Sequence, residues 1–192
     1  INLVELGYDA ICYPWGINTK SPGKFALECE PFMVEQVKAS GRKVKLIGHS
    51  LGGFDELALF VQNPEEFVEL VDHVVFDASP RPRRINRALG LAIILSQWFS
   101  SDIDNEVAEK AELLKKLADD GVIKVTSVDS SYDPVIQGQF LGRPEDHFII
   151  RGASHSGLGY HPDFLRLVAF RFAGEEIDFG RYPNIYQLPK AA

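Results

Sequence analysis

The sequence is short of several features that would fix its class at once. It has one methionine, Met33, and opens on Ile1 without a signal-peptide pattern, so a processed product, a trimmed chain or a fragment is expected. Its two cysteines, Cys12 and Cys29, make no disulfide framework and leave the compartment open. Cys12 lies in an apolar run and is expected as a buried free thiol. The longest apolar stretch, residues 88–99, contains Gly90, Ser96 and Gln97 and is too short to span a bilayer. Positive charge is scarce: the net charge of −7 argues against nucleic-acid binding, which needs a basic face to neutralise phosphates. Arg81, Arg83, Arg84 and Arg87 form a local basic cluster that a solvated turn or lid base explains as well as an anion site does. No zinc-ligand spacing and no dinucleotide glycine pattern occurs, so no metal or organic cofactor is implied.

What remains is ordinary globular material. The chain has 192 residues, 45% hydrophobic and 24% charged, enough for one domain with a sizeable core. Short β-branched runs alternate with stretches of helical spacing. Residues 1–6 read as the end of a helix capped by Gly7. Strands are expected at 9–13, 43–48, 73–78, 122–128 and 147–151. Helices are expected at 25–40, where Pro31 delays the start or kinks the helix, and at 51–62, 106–119 and 163–173. This alternation predicts an α/β fold, a mostly parallel sheet with helices on both faces. In such sheets functional groups gather beyond the carboxyl ends of the strands.

Gly48-His49-Ser50-Leu51-Gly52-Gly53 stands between an expected strand and an expected helix. A serine hydroxyl becomes a useful nucleophile only when it is exposed, aligned with a base and close to oxyanion donors. A tight strand-to-helix turn presents Ser50 at the cost of a strained backbone, and Gly48 and Gly52 are expected to avoid a clash across it. The Leu51 backbone N–H, at the positive end of the helix, is a candidate oxyanion donor. His49 is set aside as the base, because neighbouring side chains on such a turn diverge. A base is instead expected at His155, in Gly-Ala-Ser-His-Ser-Gly after the last strand. His73 and His147 open strands at the far end of the sheet, and His161 precedes Pro162 at a helix entry. The carboxylate that orients the base is Asp133 or Asp129. Asp133, further along its loop, is preferred, while Asp129 is free to bond its own turn.

These segments resemble the α/β-hydrolase superfamily, in its lipase and esterase branch, over about residues 6–173. The residues that carry the likeness are Leu-Gly-Tyr-Asp-Ala, Tyr-Pro-Trp-Gly, the Ser50 turn, Val-Val-Phe-Asp-Ala-Ser-Pro, Asp-Pro-Val-Ile and the His155 loop. The resemblance implies a triad of Ser50, Asp133 and His155 with Leu51 in the oxyanion hole. It also implies strands ahead of the first one here, with a loop supplying the second oxyanion donor, so an N-terminally truncated form of the fold is expected. An insertion at about 80–105 would form a cap, apolar enough to suit a greasy acyl chain or a lipid interface, or else an ordinary buried helix. The implied function is cleavage of carboxylic esters, on a small-molecule ester with an apolar acyl or alcohol part, through an acyl-serine. A thioesterase or acyltransferase with the same triad and a non-catalytic binding protein on the same scaffold are the alternatives. The likeness to lipases leans towards secretion.

Overall fold

The computed structural model describes residues 2–12, 22–79, 101–134 and 141–188. Its elements run α1 (Pro22–Ser40), β1 (Val44–His49), α2 (Leu51–Gln62), α3 (Pro64–Leu70), β2 (Val71–Asp77), α4 (Ser101–Asp119), β3 (Lys124–Ser130), β4 (His147–Ile150), α5 (Pro162–Ala173) and β5 (Ile185–Gln187). Short 3-10 turns cover Pro144–Asp146 and Leu158–Tyr160. The five strands lie in the order β1-β2-β3-β4-β5. The first three pairings are parallel and β4–β5 is antiparallel, so the sheet is mostly parallel.

Both faces of the sheet are covered, and β2 shows how the sequence arranges it. Val74 and Phe76 join a core with α1, α2, α3 and α4, while Val75 between them joins a second core with Phe164, Leu167 and Val168 of α5. Alternate side chains of a strand point to opposite faces, so a continuous apolar run is what a strand buried on both sides requires. α1 runs unbroken through Pro31 and starts earlier than its periodicity suggests. Ala26, Cys29 and Met33 form a fully buried stripe along it at helical spacing. That packing outweighs the hydrogen bond which a proline removes from a helix interior.

Several expectations are corrected. Residues 9–12 carry no strand, and Cys12 is exposed rather than buried. This segment lies outside the ladder, so it gains no burial from a neighbouring strand; Tyr13 falls outside the described residues. Cys29 is the buried thiol, held protonated chiefly by desolvation. Residues 80–100 of the expected cap also lie outside the described residues, and 101–105 are the first turns of α4. Two short elements were not anticipated. α3 is capped by Asn63, whose side chain accepts from Glu66 N–H at 3.3 Å, and it opens on Pro64. β5 is three residues long and pairs its Ile185 with Ile150. Among the described residues no helix is long and apolar enough to cross a membrane.

Candidate active site

The site grows from the backbone of β1 and β2. Ser50 follows β1 with φ 53° and ψ −116°, a left-handed conformation that an L residue adopts only when its surroundings impose it. Its N–H donates to the Asp77 carbonyl at 2.7 Å, which ties the turn to the end of β2. A Cβ at Gly48 would stand 2.5 Å from Gly53 N and 2.6 Å from the Gly52 carbonyl carbon, so only glycine fits there. The second steric demand falls on Gly53 rather than Gly52. A Cβ on Gly53 would lie 2.1 Å from Ser79 Oγ, whereas Gly52 meets nothing within 4 Å among the described residues. Ser79 fills that space because its hydroxyl donates to the Gly48 carbonyl at 2.9 Å. Leu51 is the first residue of α2, where helix geometry leaves an N–H without an intrahelical acceptor.

Three of the four residues singled out in the sequence converge as side chains. His155 Nε2 lies 2.9 Å from Ser50 Oγ, and its Nδ1 lies 2.6 Å from Asp133 Oδ2. An ionised carboxylate can only accept, so the ring proton belongs on Nδ1 and Nε2 is left to accept from the serine hydroxyl. The Asp133 side chain is 1% exposed and that of His155 15%, so the carboxylate is sealed while the imidazole reaches the surface. Asp129, the rival acid, bonds neither its own turn nor His155. Its Oδ2 lies 2.6 Å from Nε2 of His147, and both side chains are buried. Burial pushes the Asp129 carboxyl up from its ordinary range, against the opposing effect of His147.

The other histidines have partners as well. His73 sits inside β2, its Nε2 2.9 Å from Thr126 Oγ1; burial and the nearby Arg171 push its pKa down to about 3, so it is neutral. His161 caps α5 by accepting from Asp163 N–H at 3.2 Å. His49 stands beside Ser50 on the same turn, and Asp77, which no motif singles out, closes β2. Nδ1 of His49 lies 2.9 Å from Asp77 Oδ2, and the two residues are register partners on parallel strands. The usable signal was an acidic residue closing the apolar run Val-Val-Phe-Asp, at the carboxyl end of a strand. Among the described residues, no group of three or more His, Cys, Asp or Glu is arranged to hold a metal ion.

No protein-family model and no curated protein matches the chain. Solved structures do. A peroxisomal alpha-beta-hydrolase of Saccharomyces cerevisiae matches with a TM-score of 0.51 at 12% identity, over 91% of this chain and 64% of its own. A non-heme bromoperoxidase candidate of Mycobacterium tuberculosis matches with a TM-score of 0.51 at 14% identity, over 87% and 79%. A CIB-like hydrolase of Thermoplasma acidophilum gives 0.44 at 17%, over 86% and 66%. The chain thus spans about two thirds of the length of the first and third of these. At such identities the two matches at 0.51 speak to the fold alone, and they agree with the mostly parallel sheet. The chain has the α/β-hydrolase fold.

Proposed function

We propose that the protein is a serine hydrolase that cleaves carboxylic esters through an acyl-Ser50 intermediate. The single observation that supports this most is the chain of contacts from Ser50 Oγ through His155 to the sealed Asp133 carboxylate. In this reading Ser50 Oγ attacks the ester carbonyl while its proton passes to His155 Nε2. The carbonyl oxygen takes up the negative charge and is met by the Leu51 N–H, at the positive end of α2. Collapse of the tetrahedral adduct breaks the ester C–O bond, and the leaving alkoxide takes the proton from His155. Water then attacks acyl-Ser50, giving its proton to the same nitrogen, and the acid leaves as Ser50 is reprotonated. Asp133 keeps the ring in the required tautomer and compensates the imidazolium that forms twice per cycle.

The substrate in this reading is a small-molecule ester with an apolar acyl or alcohol part. Turnover of p-nitrophenyl esters of rising chain length by the full chain tests both the reaction and that preference. Hydrolysis that Ser50→Ala abolishes is expected. Turnover that survives Ser50→Ala would overturn the acyl-serine mechanism, and a flat response to chain length would remove the apolar preference.

A further inference from the structure

Resting on that reading, we infer that His49 and Asp77 form a second imidazole–carboxylate pair that tunes the triad electrostatically, acting as positioning residues through His155. The pair is built by backbone register: His49 ends β1, Asp77 ends β2, and the two are directly opposed on adjacent parallel strands. The resulting contact is 2.9 Å. The His49 ring stands 5.1 Å from the His155 ring, centroid to centroid, tilted by 44°. Two imidazoles at that separation cannot change charge independently.

The surrounding charges define what the pair does. His49 faces Asp77 from β2, Asp133 from the loop after β3 and His155 from the loop after β4. Asp77 in turn feels His155, Asp129 of β3 and Glu56 of α2. Its Oδ1 is buried and has no hydrogen-bond partner among the described residues, and a Cβ on Gly159 would stand 3.0 Å from its Oδ2. The hydrogen bond that the His49 ring donates to Asp77 favours the protonated form of His49, while burial pushes the Asp77 carboxyl up. As an ion pair, His49 and Asp77 nearly cancel at the position of His155. Without His49, a bare carboxylate would face His155 and favour its cation, the form that cannot act as a base. The pair therefore keeps the triad base available at lower pH than Asp77 alone would allow.

The test is the pH profile of kcat/KM for p-nitrophenyl butyrate, measured on the full chain and on His49→Gln, Asp77→Asn and the double variant. His49→Gln is expected to move the acid limb up by about 0.5 to 1 pH unit, the effect of unit charges roughly 5 Å apart near a wet surface. Asp77→Asn removes the carboxylate together with the partner that favours the His49 cation, so the limb does not rise. The double variant restores a neutral pair and returns the limb to within about 0.3 unit of its original place. A limb unmoved in His49→Gln, or displaced in the same direction by both single changes, overturns the inference. His49 is only half-buried, so that variant decides the matter should Asp77→Asn not fold. If the unsubstituted chain turns over no ester, the hydrolase reading fails by itself. The pair is then judged by the His155 ring-proton titration in NMR, which must shift upward in His49→Gln or the inference falls too.

Discussion

Two imidazole–carboxylate pairs hang from the carboxyl-terminal part of β3, and their contacts are equally short. Asp133 meets His155 at 2.6 Å, and Asp129 meets His147 at 2.6 Å. The difference lies in what the imidazole can do next. His155 is held through Nδ1, has Nε2 on a serine hydroxyl and is 15% exposed; His147 is held through Nε2 and is 2% exposed. In the proposed reaction, one pair moves a proton to and from a reacting group. The other joins two neighbouring strands as a buried hydrogen bond, where losing either partner would leave a buried polar group unpaired. The chemistry of a histidine and an aspartate does not distinguish these roles; the third partner and the access of solvent do.

The largest expected effect that sharpens this contrast is on turnover. Asp133→Asn should lower kcat roughly ten-thousand-fold while leaving the fold intact, because the amide favours the wrong tautomer of His155. Steady-state ester hydrolysis checks it, and the contrast breaks if Asp129→Asn, and not Asp133→Asn, loses activity.

This distinction was only partly legible in the sequence. The Ser50 turn could be read because its determinants are local: a strand, glycines at the tight positions and a helix within about a dozen residues. The exception within it is instructive, since the steric demand placed on Gly52 belongs to Gly53, through a contact with Ser79 that no motif encodes. His155 could be placed by chain order and its loop. The partners of Asp129 and His49 could not, because they depend on inter-strand register, and His49 faces Asp77 across 28 residues of sequence. α3 and β5, at seven and three residues, are too short for periodicity to register. The expected strand at 9–13 failed for a related reason: an apolar run becomes a strand only when another strand pairs with it.

A second, smaller effect falls on stability. His147→Gln should destabilise the protein by about 1–3 kcal/mol, the cost of leaving the buried Asp129 carboxyl without its imidazole hydrogen-bond partner. Urea denaturation measures it, and the folded variant should keep its hydrolytic rate within about threefold. Equal loss of rate and stability would mean that the two pairs are not separate in function.

The smallest effect concerns a carboxyl that belongs to neither pair. Glu56 on α2 is buried beneath the turn, and its Oε2 has no hydrogen-bond partner among the described residues. Burial, with Asp55 and Asp77 nearby, holds its pKa well above the ordinary carboxylate value of 4.5. The folded state therefore binds the proton more tightly than the unfolded chain, and stability falls as pH rises from 4.5 through the raised value. Glu56→Gln should raise the melting temperature by a few degrees at neutral pH. The gain should fade as the solution is acidified below the ordinary carboxylate range. A gain that persists unchanged in acid would show that Glu56 is not the titrating group.

The most direct measurement of the central claim is to react the full chain with a fluorophosphonate and map the adduct by peptide mass spectrometry. The adduct should sit on Ser50, form at a rate that His155→Ala lowers steeply, and be absent from Ser50→Ala. A folded chain that takes up no label, or takes it up at another residue, would contradict the account.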